Sequence, residues 1–188
     1  MVRTFVALLI PPDWSMHLAA ISADLAARTE GLSWVKSENL HVTLRFLGDL
    51  DDAAVGRARA AVSERLAGST APRARLGPLS AFPNVARPRV LWVGLSEGAE
   101  AVSALALAVD EGLSTSGFGP ADRPFRAHIT LARVREGAKG LEAIRDASVP
   151  EPPAPAILDR VAVMKSDLHP SGSRYTALQE VRLRPPDR

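Results

Sequence analysis

The chain has 188 residues, of which 46% are hydrophobic and 23% charged, a composition typical of an ordinary globular protein. It contains no cysteine, which excludes disulfides, thiolate catalysis and cysteine-ligated zinc and suits a reducing cytoplasm. The formal net charge is +2 and no apolar run approaches the length of a membrane span, so we expect a cytoplasmic protein that does not enter a membrane.

Runs of β-branched and aliphatic residues predict seven strands, and amphipathic runs between them predict four helices. In chain order the predicted elements are strand 3–10, helix 13–30, strand 39–47, helix 51–67, strands 72–80 and 89–95, helix 97–116, strand 126–134, helix 138–147 and strands 156–164 and 174–183. The proline-rich segment 149–155 lacks too many N–H donors for a helix interior or a central strand. We therefore expect it to be an extended connector on the surface.

Two predicted strands carry the same four-residue motif, although the chain has only four histidines. The copies begin at His41 and at His128, 87 residues apart, and each reads His-x-Thr-Leu. Phe5 and Trp92 lie in strands 36 residues before these histidines, with a helix in each gap. The chain thus predicts a duplicated strand-helix-strand-helix-strand unit, with repeat halves of approximately 1–84 and 88–188 in one bilobal domain, 1–188. Because two lobes of one chain would already build a cleft, we expect a monomer.

Residues two apart on a strand share a face, so each histidine should project beside the threonine of its own motif, Thr43 or Thr130. An imidazole exchanges protons near neutral pH, and a pair can supply one base and one acid. Threonine hydroxyls can donate to anionic oxygens, and Arg126 and Arg133 are candidate cations for binding the same phosphate. By strict alternation Arg126 shares the His128 face, whereas Arg133 reaches it only if the strand twists or ends. This array suits in-line chemistry on a phosphate.

Other interpretations of these residues are weaker. Two imidazoles could bind a metal, but no third histidine or carboxylate recurs at a fitting spacing, so we expect no metal and no cofactor. His17, in a helix, and His169, in a loop, are expected to have surface roles. Neither a glycine-rich phosphate loop nor a nucleophile elbow is present. Most aromatic residues are expected in the core, although one or two at a cleft could stack on a nucleobase.

The two motifs with their flanks, 39–48 and 124–133, closely resemble those of the two-histidine (2H) phosphoesterases. Within that superfamily the chain is similar to the RNA 2′,3′-cyclic phosphodiesterases, also called 2′-5′ RNA ligases. The resemblance covers nearly the whole chain and includes the patterns Ser-x-Leu at 166–168 and Arg-Tyr-Thr at 174–176. One departure is Ala127, where family members commonly have proline.

The resemblance implies an α+β fold with two pseudo-twofold lobes, in which antiparallel sheets with outer helices surround a central cleft. It implies metal-independent hydrolysis of a terminal RNA 2′,3′-cyclic phosphate to a 2′-phosphate. His128 would be the base acting on water and His41 the acid protonating O3′, while Thr43, Thr130 and Arg133 would hold phosphate oxygens. Reversible 2′-5′ ligation of tRNA halves would follow from running the same steps backwards.

Two alternatives remain open at this point. The chain could be a module that binds RNA ends without turnover, or a 2H phosphodiesterase acting on another small cyclic or 2′-5′ phosphodiester. The modest net charge favours contact with a short terminal stretch of RNA.

Overall fold

Strands and helices alternate along the chain in the computed structural model, which describes residues 1–147, 149–169 and 172–186. A 3₁₀ turn, Ser37–Asn39, precedes the third strand, and a π turn, Ser114–Phe118, follows the third helix. The elements in chain order are β1 (Val2–Leu9), α1 (Pro12–Ala26), β2 (Glu30–Trp34), β3 (His41–Leu50), α2 (Asp52–Leu66), β4 (Arg73–Phe82), β5 (Val90–Glu97), α3 (Ala99–Leu113), β6 (His128–Lys139), α4 (Glu142–Arg145), β7 (Ala156–Ile157), β8 (Arg160–Asp167) and β9 (Arg174–Arg182).

Four predicted elements, helix 13–30, strand 126–134, helix 138–147 and strand 156–164, were wrong in extent, and each error has a non-local cause. The predicted helix 13–30 ends at Ala26, and the strand β2, which was not predicted, follows because it pairs with β6 about 100 residues later. Because β6 pairs with β2, it continues to Lys139. Only four residues of the predicted helix 138–147, Glu142–Arg145, are helical. The predicted strand 156–164 is split into β7 and β8, which pair with β4 and β1 respectively. The segment 149–155 contains no helix or strand, as predicted.

The strands form one antiparallel sheet in the order β7-β4-β5-β6-β3-β1-β8-β9, with β2 paired to β6. The central strands β3 and β6 carry the two motifs. Elements of the first repeat recur 87 residues later: α1 at Pro12 corresponds to α3 at Ala99, and β4 at Arg73 corresponds to β8 at Arg160. The observed architecture is the α+β fold that the family resemblance implies, with two lobes of antiparallel strands related by a pseudo-twofold axis.

The lobes do not coincide with the two halves of the sequence. The strand β4, from the first repeat, pairs with β5, while β8, from the second repeat, pairs with β1. One lobe therefore contains β3, β1, β8 and β9, and the other contains β6, β5, β4 and β7. Each lobe therefore contains strands from both repeats, β8 and β9 in one and β4 in the other, so a cut between residues 84 and 88 would divide both lobes.

The helices cover one face of the sheet and leave the other face open. In α1 the apolar stripe of Trp14, Leu18, Ile21 and Leu25 is buried against the sheet. The helix α2 begins at its N-cap Asp51, whose carboxylate accepts a hydrogen bond of 2.7 Å from the Ala54 amide. Alternate residues of the central strands complete this core, and the residues between them face the open side. None of the helices in the described ranges has the length and apolar character needed to cross a bilayer.

Candidate active site

Both histidines lie where the two lobes meet. The strands β3 and β6 begin at His41 and His128, and their pairing is limited to Val42 opposite Ile129. Beyond that point the strands separate, because β2 takes the place beside β6 from Ala132 onward, while β1 pairs along the other edge of β3. The motifs therefore lie side by side at the centre of the sheet, one from each lobe.

Each motif is divided between the open face and the core, as its alternation predicts. Val42 and Leu44 are buried on β3, and Ile129 and Leu131 are buried on β6. The histidine and threonine of each motif are half-buried on the opposite face. The burial pattern of the first eight residues is the same on both strands, so the apolar residues fix the register that presents the polar ones.

A backbone carbonyl two residues earlier orients each imidazole. His41 Nδ1 donates to the carbonyl of Asn39 at 2.7 Å, and His128 Nδ1 donates to the carbonyl of Arg126 at 2.6 Å. Since a carbonyl oxygen can only accept, Nδ1 must carry the proton in both rings. In the neutral form Nε2 therefore has a free lone pair, which is the atom a general base uses.

The two Nε2 atoms differ in their immediate partner. The Thr43 hydroxyl lies 2.9 Å from His41 Nε2 and donates to its lone pair in the neutral form. Thr130 occupies the equivalent position on β6, but among the described residues no group forms a hydrogen bond with His128 Nε2. His128 thus has an unoccupied lone pair, whereas that of His41 is engaged.

Both imidazoles are biased towards the neutral form. Burial lowers the pKa of His41; the hydrogen bond to Asn39 opposes this effect, and the charge of nearby His128 adds to it. Burial also lowers the pKa of His128, opposed by the hydrogen bond to the Arg126 carbonyl and reinforced by the charges of Arg126 and Arg133. Cations therefore act on His128, while the charge of the other histidine acts on His41.

A β-bulge brings Arg133 to the face that carries His128. Thr130 lies opposite Trp92 and Arg133 opposite Val90, so β6 advances three residues while β5 advances two. The extra residue leaves Leu131 and Ala132 both buried and returns Arg133 to the open face. On β3 the same irregularity places Phe46, 59% exposed, at the corresponding position. Strict alternation would have placed Arg133 on the core side, and the bulge breaks that alternation so that Arg133 shares the face of His128.

Arg126 lies beside the second motif but is held by aromatic rings. Its guanidinium carbon is 4.6 Å from the centre of the Trp92 ring and 5.5 Å from that of Phe82. The side chain is exposed, and its charge acts on the His128 ring. Arg126 therefore affects His128 in two ways: its side-chain charge acts on the ring, and its carbonyl orients the ring.

Aromatic residues that the sequence placed mainly in the core form the walls of the site. The Phe5 ring stacks on His41 at 5.0 Å, and the Tyr175 ring meets His41 edge-on at 5.5 Å. Across the sheet, Phe82 and Trp92 lie 5.1 and 5.9 Å from His128. The equal spacing of Phe5 and Trp92 before the two histidines was a feature that could have indicated this role. Tyr175 lies in the Arg-Tyr-Thr pattern that is part of the family resemblance, whereas Phe82 had no such feature.

The remaining candidates lie elsewhere. Arg45 follows the first motif but is buried on the helix side, where it pairs with Asp110 at 2.6 Å and donates to the carbonyl of Gly119. His17 is on α1, and His169 is exposed in the loop after β8. In the described ranges no three His, Asp or Glu side chains group together as a metal site would require.

Comparison with known proteins identifies the family. A sequence model of the 2′-5′ RNA ligase superfamily matches residues 10–170. A protein of Aeropyrum pernix named RNA 2′,3′-cyclic phosphodiesterase is 37% identical over 130 residues, which are 68% of this chain and 71% of the relative. A protein of Aquifex aeolicus with the same name is 30% identical over 185 residues, 97% of each chain. The chain therefore belongs to the 2′-5′ RNA ligase superfamily of two-histidine phosphoesterases, as its paired motifs predicted.

Solved structures share the fold along nearly the whole chain. A protein of Thermus thermophilus superposes with a TM-score of 0.74 at 29% identity, covering 97% of this chain and 98% of that one. Escherichia coli LigT complexed with 3′-AMP superposes with a TM-score of 0.76 at 23% identity, with the same coverage. The bilobal sheet is therefore common to proteins whose sequences have diverged widely.

Proposed function

We propose that this protein hydrolyses the 2′,3′-cyclic phosphate at an RNA 3′ end to a 2′-phosphate by general acid–base catalysis. The observation that carries the proposal is the pair of imidazoles on adjacent strands, each with Nδ1 fixed by a carbonyl and Nε2 directed away from it. The names of the relatives from Aeropyrum pernix and Aquifex aeolicus support the same substrate.

His128 is the better candidate for the base. Its Nε2 lone pair has no hydrogen-bond partner among the described residues, and the charges of Arg126 and Arg133 favour the neutral ring. In the proposed first half of the reaction, Nε2 removes a proton from water while the water oxygen bonds to phosphorus. The structure thus offers a physical reason for an assignment that in the sequence rested on family resemblance.

His41 is then the acid. Burial disfavours its charged form in the free protein, but an anionic phosphate beside the ring offsets that penalty and favours the imidazolium. The Thr43 hydroxyl can turn from Nε2 to a phosphate oxygen, which frees Nε2–H to protonate O3′ as the P–O3′ bond breaks. The phosphate remains on O2′, and the proton taken by His128 replaces the one given by His41 over a full cycle.

The non-bridging oxygens need donors that are already in place. Thr43 and Thr130 lie on the open face beside the histidines, and Arg133 joins them through the bulge. Arg126 lies at the edge of this group, and its contact with two rings limits its freedom to follow the phosphate. We assign Thr43, Thr130 and Arg133 to phosphate binding and Arg126 to an outer electrostatic role.

The decisive experiment compares substrates with one purified sample. Nucleoside 2′,3′-cyclic phosphates should give 2′-phosphates, separated from 3′-phosphates by chromatography, and EDTA should not alter the rate. Faster turnover of a 2′-5′ dinucleotide or another cyclic phosphodiester would favour the broader 2H activity. Binding of a cyclic-phosphate oligonucleotide without any product would favour the RNA-end binding module, and loss of activity on chelation would show a metal requirement.

Ligation would use the same acid and base with a different nucleophile. A 2′,3′-cyclic phosphate attacked by the 5′-hydroxyl of a second RNA, in place of water, would give a 2′-5′ linkage with the same acid and base. Incubating paired tRNA halves with the protein tests this step directly. A monomeric state and a cytoplasmic location remain predictions from the sequence.

A further inference from the structure

We propose that the RNA strand leading to the reacting end lies along β6, and that Arg135 and Ser33 hold the backbone phosphate next to the one held by Arg133. This inference rests on the proposed function, because it concerns how the same site receives its RNA. The three residues are called the β6 strip below.

The β6 strip lies on one face of the sheet. Ser33 on β2 pairs directly with Arg133 on β6, so their side chains point to the same side. Arg135 is two residues further along β6, and its Nη2 donates to Ser33 Oγ at 3.3 Å. Because the bulge has already brought Arg133 to the face of His128 and Thr130, the strip continues the catalytic face away from the histidines.

The two arginines of the strip are available to an anion. Both side chains are exposed, and among the described residues neither has a carboxylate within ion-pair distance. Other sheet arginines are paired, for example Arg75 with Glu97 at 2.9 Å and Arg182 with Asp159 at 3.2 Å. The Ser33 hydroxyl accepts from Arg135 and so keeps its own proton for a phosphate oxygen.

The spacing of the strip suits a nucleic acid backbone. Two residues along a strand advance about 7 Å, which is close to the separation of successive phosphates in an extended single strand. Arg133 and Arg135 can therefore each meet one phosphate without bending the RNA. A guanidinium offers several donors in a fixed plane, which fits phosphate oxygens well.

The pseudo-twofold repeat provides an internal comparison. The residues of β3 that correspond to Arg133 and Arg135, 87 positions earlier, are Phe46 and Gly48. Neither carries a charge, and Gly48 has a positive φ of 73°. At these two positions the opposite lobe thus lacks the charges of Arg133 and Arg135, and the charge on β6 gives the RNA a direction across the site.

The test separates the reacting phosphate from the backbone. Turnover is measured for a nucleoside 2′,3′-cyclic phosphate lacking a 5′-phosphate and for a hexanucleotide with the same terminus. Arg135→Ala should reduce kcat/KM for the hexanucleotide about tenfold, within the range typical of hydrogen bonds to charged groups, and leave the mononucleotide within about twofold. Because kcat/KM falls as salt rises, removing one phosphate contact should also make the plot of log kcat/KM against log salt concentration less steep, by about 0.7 in slope.

Two further variants control the result. Arg57→Ala removes the same charge from the exposed surface of α2, on the helix side of the sheet, and should leave both substrates unaffected. Ser33→Ala should act in the same direction as Arg135→Ala but more weakly, because it loses a neutral donor. Thermal melts of each variant check that these exposed substitutions leave the fold intact.

The proposed path of the RNA along β6 is wrong if Arg135→Ala changes kcat/KM for neither substrate, or if it reduces kcat/KM for both equally. It is also wrong if Arg57→Ala reproduces the loss, since that would show a general effect of net charge. Failure of the wild-type protein to hydrolyse any cyclic phosphate would instead refute the proposed function. The salt dependence of binding a hexanucleotide with a 3′-phosphate would then still test the strip.

Discussion

The hydrogen bond between Thr43 and His41 gives the sharpest test of how the site works. Thr43→Val keeps the branched shape of the side chain but removes the hydroxyl that lies 2.9 Å from Nε2. Because that hydroxyl stabilises the neutral ring, its loss should raise the pKa of His41. His41 as the acid must be protonated, so the alkaline limb of the pH–rate profile should move to higher pH.

The same substitution removes a proposed donor to the phosphate. Loss of one preorganised donor costs about 10²–10³ in kcat in comparable sites, whereas the half-buried neutral hydrogen bond should contribute only about 1 kcal/mol to stability. We therefore expect a well-folded protein with kcat reduced by at least two orders of magnitude. Thr43→Ser, which retains the hydroxyl, should recover most of the rate.

The repeat offers a matched control at Thr130. Thr130→Val removes the equivalent hydroxyl, which forms no hydrogen bond to its own histidine, so it should lower kcat without changing the titration of His41 or His128. The assay measures kcat and KM between about pH 5 and pH 9, which spans the ordinary imidazole range and lies on both sides of it, and follows the two imidazoles by NMR titration. If Thr43→Val keeps wild-type kcat and His41 titrates as before, the assigned role of Thr43 is wrong.

Three further predictions concern the pair and its support. His41→Ala and His128→Ala should each lower kcat about 10²–10⁴-fold while circular dichroism stays unchanged, and the double variant should lose little more; near-normal turnover in either would refute the pairing. Folding lowers both histidine pKa values from 6.5, so the unfolded chain binds more protons below that pH and thermal stability should fall as pH drops from 7 towards 5. A double His→Asn variant should show a flatter dependence. Arg45→Ala leaves the Asp110 carboxylate without its partner and should lower the free energy of unfolding in urea by up to about 3 kcal/mol. The loss should not be larger, because Asp110 keeps some contact with water. A loss below about 1 kcal/mol would show that the pair contributes little.

Short-range sequence patterns are enough to identify the main residues of the proposed active site. The period-two pattern of each motif places His41 with Thr43 and His128 with Thr130, and the apolar residues between them enter the core. The 87-residue repeat indicates that both motifs occupy equivalent strands. Such information survives in a single sequence because alternation and helical periodicity depend on residues only a few positions apart.

Only the tertiary structure shows which distant segments of the chain pair with each other. The exchange of β4 and β8 between lobes, and the insertion of β2 beside β6, are choices of strand partner that local patterns do not contain. The same holds for the bulge that turns Arg133 to the open face, since a bulge is a mismatch between two strands.

The chemistry of the site divides in the same way. The sequence by itself determined which residues could act as acid, base and phosphate ligands, because residue type and alternation decide those capacities. Only the folded chain decided their state: the carbonyls that fix Nδ1, the hydroxyl on one Nε2, and the cations beside His128. Protonation state and orientation depend on neighbours in space, and in this protein those neighbours come from strands paired across two repeats.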